Sequence, residues 1–449
     1  MKTIITNSII ITMNSDMEVF PDGYVKIEGT KILETGPSCD LKETTEELRA
    51  AGWQIKDGKR GILMPGMVNT HCHLGMIPFR GLGDDCKDRL RVFLLPMEQK
   101  AMSRRMAALS SRYAICELLL SGVTSVMDMY YFEAAVAQVM DQTGIRGIAG
   151  QTLMDEGGCD ASDADQSLSM AKELIETYRM HPRISGCAAP HATNTCSPQI
   201  LKKAWELDTA NQVPFTLHAA EMDYEMTWLA QTRGCTPVGY LDQLGVLSNQ
   251  TAAAHCIHLT DRDIEILRQR GSGVCHCIGS NAKAAKGVAP VLKLLKEGVS
   301  VGLGTDGPAS GNTLDLFTQM RLCAGFQKNN SHDRSAMPAK DIVSMATRQG
   351  ARVLGLEEKT GSIEPGKEAD LVLVETDSPN MFPVYDPYSA LVYSANASNV
   401  RDVYVAGTCL VQDKKLVYED FESIRRELSD CMGRSAFGEM QELHRLEKN

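Results

Sequence analysis

Between residue 61 and about residue 355 short apolar runs alternate with long amphipathic segments, and this alternation limits the fold more than any other feature. The strand-like runs are 62–70, 124–129, 145–153, 184–190, 214–219, 251–257, 271–277 and 299–305. Helix-like stretches lie between them at 97–120, 131–142, 164–179, 197–210, 260–270, 288–297 and 313–328. Short continuous apolar runs suit strands buried on both faces, and helical periodicity between them suits covering helices. Eight strands, each followed by a helix, predict a (β/α)8 TIM barrel of the α/β class. A doubly wound open sheet would share the alternation, but no G-x-G-x-x-G or Walker pattern follows any strand.

The two chain ends have a different texture. Residues 1–60 alternate turns with β-prone runs such as Ile9-Ile10-Ile11-Thr12 and Tyr24-Val25-Lys26-Ile27. Beyond the turn-rich link 361–367, Ala369-Asp370-Leu371-Val372-Leu373-Val374 and Val400-Arg401-Asp402-Val403-Tyr404-Val405 read as strands, and a helical tail covers about 419–446. Each end alone is too short for a sound core. The expected organisation is therefore a barrel over 61–358 and a small β-sandwich built jointly from 1–60 and 359–449, the latter part carrying the C-terminal helix.

Active sites of such barrels form at the C-terminal ends of the strands, so the residues placed there are informative. The first run delivers Thr70-His71-Cys72-His73, two imidazoles on one side of an extended chain and able to share one cation. An isolated His-x-His is often accidental, but here further candidates follow in order. Strand 4 ends at His191, strand 5 at His218 with Glu221 just beyond, strand 6 at His255, strand 7 at His276, and strand 8 at Asp306 in Gly-Thr-Asp-Gly. Of ten histidines, seven fall at or near such ends when His258 is included, whereas His181, His332 and His444 sit in helical or loop contexts. Three imidazoles, an aspartate and a nearby glutamate form a pattern of metal-assisted hydrolysis. Strand 4 contains no lysine that could be carbamylated to bridge two metals, which predicts a single metal.

Composition narrows the partners. The net charge of −11 without a basic stripe argues against nucleic acid or an anionic membrane and suits a free small molecule. No apolar run reaches ~18 residues, the span of a membrane helix. The start, Met1-Lys2-Thr3-Ile4-Ile5, reads as a strand and not as a signal peptide. Fourteen cysteines without a C-x-x-C pair suggest reduced thiols, with Cys72, Cys256, Cys275 and Cys277 acting as small buried hydrophobes. A cytoplasmic location is expected.

Across essentially its whole length the chain resembles the amidohydrolase superfamily. The resemblance rests on Pro65-Gly66-Met67-Val68-Asn69-Thr70-His71-Cys72-His73, Arg80-Gly81-Leu82-Gly83-Asp84-Asp85, Pro190-His191-Ala192, His218-Ala219-Ala220-Glu221, Ala254-His255-Cys256-Ile257-His258, Ser280-Asn281-Ala282-Lys283 and Gly304-Thr305-Asp306-Gly307. Gly366-Lys367-Glu368-Ala369-Asp370-Leu371-Val372 matches the signature of the family's β-sandwich. Within the superfamily the chain is most similar to the 5′-methylthioadenosine/S-adenosylhomocysteine deaminase branch, which is close to the triazine chlorohydrolases.

The resemblance implies His71, His73, His218 and Asp306 as metal ligands, with Glu221, His255 and Asp306 as catalytic residues. It implies Glu98, in Pro96-Met97-Glu98, as a holder of ribose hydroxyls and His191 as a substrate-facing residue. One divalent metal is implied; Zn2+ suits three nitrogens and one oxygen, and Fe2+ would fit as well. The implied reaction is hydrolytic deamination of an adenine nucleoside, 5′-methylthioadenosine, 5′-deoxyadenosine or S-adenosylhomocysteine, to its inosine counterpart with release of ammonia. In that scheme Glu221 exchanges protons with the ring, and its carboxyl is expected to have a raised pKa. Homo-oligomers, dimers or tetramers, are common among such relatives.

Two departures shape the substrate expectation. Between Asp85 and Glu98 there is Phe93 where the family carries a tryptophan and a longer segment. After strand 3, Gln151-Thr152-Leu153-Met154-Asp155-Glu156 lacks the arginines that hold a homocysteine carboxylate. An uncharged 5′ substituent is therefore expected. The alternative keeps the same metal site and displaces chloride or an amine from a triazine, or deaminates a pterin or an oxidised guanine. A non-catalytic scaffold would be expected to lose ligands, and none is lost here.

Overall fold

Gly66 divides the first predicted strand between two sheets. The structure is a computed structural model that describes residues 2–434. Its first strands are Lys2–Ile11 (β1), Val19–Glu28 (β2), Lys31–Pro37 (β3), Gln54–Asp57 (β4) and Ile62–Pro65 (β5). β5 pairs with β1; past Gly66 the chain enters Met67–Cys72 (β6), which pairs in parallel with Val123–Tyr130 (β7). A Cβ at Gly66 would stand 2.0 Å from Thr124 Oγ1, so only glycine allows the two sheets to approach at this crossing. Ile62 and Leu63 belong to the ladder of the terminal sheet, while Met67–Cys72 belongs to the barrel.

The remaining barrel strands are Arg146–Leu153 (β8), Ile184–Pro190 (β9), Phe215–Ala219 (β10), Thr251–His255 (β11), Gly273–His276 (β12) and Val301–Leu303 (β13). They form two parallel four-stranded sheets, β6 to β9 and β10 to β13. Hydrogen bonds at the functional end join the two: His218 N–H donates to His191 C=O at 3.0 Å, and Asp306 N–H donates to His71 C=O at 3.1 Å. Asn69 and Thr305 add a buried reciprocal pair, Nδ2 to Oγ1 at 2.8 Å and N–H to Oδ1 at 3.0 Å. The eight-stranded barrel is thus closed at the strand ends that carry His71, His218 and Asp306.

Both chain ends contribute to one nine-stranded sheet. Leu371–Val374 (β14), Val400–Val405 (β15), Thr408–Gln412 (β16) and Lys415–Leu416 (β17) extend it in the order β17-β16-β15-β14-β5-β1-β2-β3, with β4 on β1. The sheet folds over, so that Ile32 N–H reaches Lys367 C=O at 2.9 Å and Ala369 N–H reaches Thr30 C=O at 2.8 Å. Ile5, Val25, Ile27, Leu63, Leu371 and Tyr404 fill the core between its arms. Not all of the C-terminal part is β-structure. Arg321 Nη2 donates to Ala395 C=O at 2.7 Å, and Glu419, just ahead of the Phe421–Gly433 helix, pairs with Arg112 at 2.8 Å on a barrel helix. The predicted extension of that helix to 446, and His444 with it, lies outside the described residues.

One buried ion pair ties the two units together. Arg146, at the start of β8, makes a two-pronged contact with Asp370, Nε to Oδ2 at 2.8 Å and Nη2 to Oδ1 at 3.1 Å, and their side chains are 3% and 0% exposed. Asp370 Oδ1 also accepts from Ala406 N–H at 2.7 Å. Asp370→Ala would strand a buried guanidinium and is expected to cost about 3–5 kcal/mol. Denaturant unfolding of the variant checks this; a loss below about 1 kcal/mol would show that the pair does not hold the units together.

The predicted helix 97–120 is two helices, Leu95–Ala101 and Arg104–Leu120. Ser103 has an extended backbone, and its Oγ accepts from Met106 N–H at 3.2 Å, so it starts a new helix in place of continuing the old one. This break sends the short first helix, with Glu98, toward the barrel mouth.

Candidate metal centre and active site

The strands deliver their polar ends through unusual backbone. His255 has φ 70° and Asp306 φ 59°, left-handed values that L-residues adopt at a cost and that turn each chain sharply at its strand end. His71 and His73 arrive from β6 and His218 from β10. Nitrogens of His71, His73 and His218 lie within 4.8 Å of one another, and an oxygen of Asp306 lies within the same distance of His71 and His255 nitrogens. His73 Nε2 is 3.1 Å from Asp306 Oδ1.

The opposite nitrogens are already held. His73 Nδ1 sits 2.5 Å from Met129 C=O and His218 Nδ1 sits 2.8 Å from His191 C=O, so each ring presents Nε2 to the centre. His71 is fully buried and neither ring nitrogen has a hydrogen-bond partner among the described residues. A buried imidazole left so is costly unless a cation takes up its lone pair. Burial pushes His71 and His218 well below the ordinary histidine range, which keeps them in the neutral form that ligates. The donor set fits one divalent cation.

The centre opens into a cavity of about 480 Å³ lined by His73, His218, His255 and Asp306, and by Glu98, His191 and Glu221. All the residues expected at the site are therefore together; only His71 lies behind the wall. His255 Nδ1 is 2.9 Å from Asn281 Oδ1, and its Nε2 is 3.5 Å from Glu221 Oε1. Glu98 Oε1 accepts from the Tyr130 hydroxyl at 2.6 Å, and burial lifts its carboxyl to about 7 despite that bond. His191 Nδ1 is 3.0 Å from Thr195 Oγ1, and burial lowers its pKa to about 4.

Three sequence expectations change. Burial acts to raise the Glu221 carboxyl, but His255 and Lys286 outweigh it and hold the group below the ordinary range, not above. Lys286 Nζ donates to Glu221 Oε1 at 2.5 Å. The cavity also contains a guanidinium that does not come from the segment after strand 3: Arg89 reaches it from the short segment before Glu98. His276 takes no part in the wall, since Cys275 is the β12 residue in the barrel's inner core; His276 is fully buried, and its ring nitrogens have no hydrogen-bond partner among the described residues. His258 lies beside exposed Asp223 at 3.4 Å.

Other contributors carry no strand-end histidine signal. Tyr130 and Asn281 act through the groups they bond. Glu225 Oε2 accepts from Glu221 N–H at 3.0 Å and its Oε1 accepts from Thr193 Oγ1 at 2.6 Å, which fixes the main chain under Glu221. Glu225 stands four residues past Glu221, in the first turn of the Asp223–Arg233 helix.

The amidohydrolase family pattern matches residues 62–410, the larger part of the chain. The chain belongs to the amidohydrolase family. It is 38% identical over 417 residues to the 5-methylthioadenosine/S-adenosylhomocysteine deaminase of Thermodesulfovibrio yellowstonii, covering 92% of this chain and 94% of that one. It is 37% identical over 413 residues to the 5′-deoxyadenosine deaminase of Methanothermobacter thermautotrophicus, with coverages of 91% and 94%. A crystal structure of an adenosine deaminase from Xanthomonas campestris with bound zinc superposes with a TM-score of 0.91 at 30% identity, over 96% of this amidohydrolase and 98% of that chain. No described helix is long and apolar enough to cross a membrane.

Proposed function

We propose that this amidohydrolase deaminates adenine nucleosides with an uncharged 5′ group, 5′-methylthioadenosine or 5′-deoxyadenosine, to their inosine counterparts. The observation that carries the reading is the convergence of three imidazoles and Asp306 at a cavity whose walls also hold Glu221 and Glu98. Relatives named as 5-methylthioadenosine/S-adenosylhomocysteine deaminase and 5′-deoxyadenosine deaminase, at 38% and 37% identity, support the nucleoside class. His71, His73, His218 and Asp306 would hold the metal, and the zinc bound in the Xanthomonas enzyme favours zinc here. When bound, the cation lowers the pKa of a coordinated water from ~16 toward ~7.

The chain's own groups do the rest. Asp306 takes the proton of the attacking water, and His255, its Nδ1 fixed by Asn281, orients that water through Nε2. Attack at C6 pushes charge onto the adjacent ring nitrogen, which Glu221 protonates. Asp306 hands the water proton it took to the amino group, which leaves as ammonia, and the C6 hydroxyl returns its proton to Glu221 as the carbonyl forms. The ionised Glu221 of this structure must first be protonated, so it serves as the carrier of the proton that reaches the ring. His191 packs against His218, ring centroids 4.9 Å apart, and forms the wall beside the base.

Glu98 would accept hydrogen bonds from ribose hydroxyls. It is ionised above about 7 and protonated below, and the ionised form is the better acceptor. KM for a nucleoside should thus fall as pH rises from about 6 to about 8, and Glu98→Gln should raise KM and flatten that dependence. A KM profile indifferent to the substitution would remove Glu98 from the sugar site.

S-Adenosylhomocysteine should be the poorer substrate, although for a different reason from the one expected. Arg89 lines the cavity, but its Nε and Nη2 are taken by Leu82 C=O at 2.8 Å and Phe79 C=O at 3.3 Å. Lys283 is taken by Asp84 and Asn312, both at 2.7 Å, and Lys286 by Glu221. A carboxylate facing these engaged cations, with exposed Lys87 the remaining cation of the wall, forfeits about 1–3 kcal/mol, or ~10- to 100-fold in kcat/KM. An ammonia-release panel of adenine nucleosides, triazines, pterins and oxidised guanines tests the assignment; activity confined to the last three classes would replace it with the alternative reading. We further place the enzyme in the cytoplasm, where its free cysteines stay reduced, as a homo-oligomer acting on a small molecule without nucleic acid.

A further inference from the structure

Lys286 occupies a built position. It follows Ala285, whose φ of 53° is left-handed, so the chain turns sharply just ahead of it. Its own N–H donates to Asn281 C=O at 2.9 Å, and Asn281 Oδ1 stands 2.9 Å from His255 Nδ1. His255 Nε2 lies 3.5 Å from Glu221 Oε1, the same oxygen that accepts from Lys286 Nζ. The four residues thus close a ring: Lys286, Asn281, His255, Glu221. Lys286 and Glu221 side chains are only 17% and 14% exposed, and both line the cavity. Glu221 has a second anchor in its main chain, held by Glu225 at 3.0 Å.

We propose that Lys286 is a positioning residue for Glu221, clamping one carboxylate oxygen beside His255 so that the other is presented to the substrate ring. A glutamate has three side-chain torsions, and a main-chain anchor fixes none of them. The ammonium supplies the missing constraint, with a charge-assisted hydrogen bond at the strong end of its class. The inference rests on the assignment of Glu221 as proton carrier. Lys286 itself stays protonated: burial acts against its charge, but Glu221 more than restores it.

The test uses the full-length metal-loaded enzyme and four variants, Lys286→Met, Lys286→Arg, Glu221→Gln and the double Glu221→Gln/Lys286→Met. Lys286→Met is expected to lower kcat by ~10- to 100-fold with KM changed by less than about threefold and metal content unchanged. Lys286→Arg should recover most of the loss, because its guanidinium offers the carboxylate the same charge. In the Glu221→Gln background the methionine should cost less than about twofold, since the group it positions is gone. Wild-type kcat in Lys286→Met overturns the proposal, as do a loss confined to KM, equal losses in both backgrounds, or an arginine variant as impaired as the methionine one. If adenine nucleosides prove inert, the substrate reading fails separately. The same ratios, measured on whichever amino heterocycle releases ammonia, still decide the role of Lys286.

Discussion

Asp306→Ala is expected to leave a folded protein with no bound metal and a kcat/KM reduced by at least about 10⁴-fold. His218→Ala should behave likewise. The size follows from what is lost together: the cation's effect on water, ~9 pKa units, and in Asp306 the acceptor of the water proton. Folding should survive, because the barrel closure beside the site depends on main-chain bonds, Asp306 N–H to His71 C=O at 3.1 Å and His218 N–H to His191 C=O at 3.0 Å. Metal analysis and an ammonia assay on the same preparations read both effects. Full activity in thoroughly metal-free wild type would remove the cation from the chemistry.

Glu221→Gln should lower kcat by ~10²–10⁴ while metal content stays near normal. The substitution keeps the shape of the side chain and can still accept from Lys286, but it cannot carry a proton. The loss should exceed that of Lys286→Met, because the first removes the carrier and the second only its alignment. Wild-type turnover in Glu221→Gln would assign proton transfer elsewhere, with His255, 3.5 Å away, the next candidate.

The eight-fold alternation made the barrel legible because parallel strands covered on both faces leave continuous apolar runs that few other folds share. The boundary at its entry was not legible. The apolar run Ile62–Val68 is unbroken and is shared by two sheets, and only the requirement for glycine beside Thr124 reveals the division. The break at Met102-Ser103 was hidden for a related reason, since apolar periodicity continues across it and only the serine's capping role interrupts the helix.

At the site, histidines and acids at strand ends were readable because their spacing in the sequence maps onto a ring of neighbouring strands. Lys286, Arg89 and Glu225 come from loops or helix starts after the strands, where spacing says nothing about direction. The Glu221 carboxyl illustrates the same limit. Burial alone argues for a raised pKa, and its actual direction depends on His255 and on an ammonium brought from 65 residues away in the chain.

The most direct test of the account is turnover of 5′-deoxyadenosine or 5′-methylthioadenosine in ¹⁸O-labelled water, with product mass and ammonia measured together. Hydrolytic deamination predicts one labelled oxygen in the inosine-type product, located on the base, and one ammonia for each product formed. Free adenine, label on the sugar, or no reaction with any adenine nucleoside would contradict it.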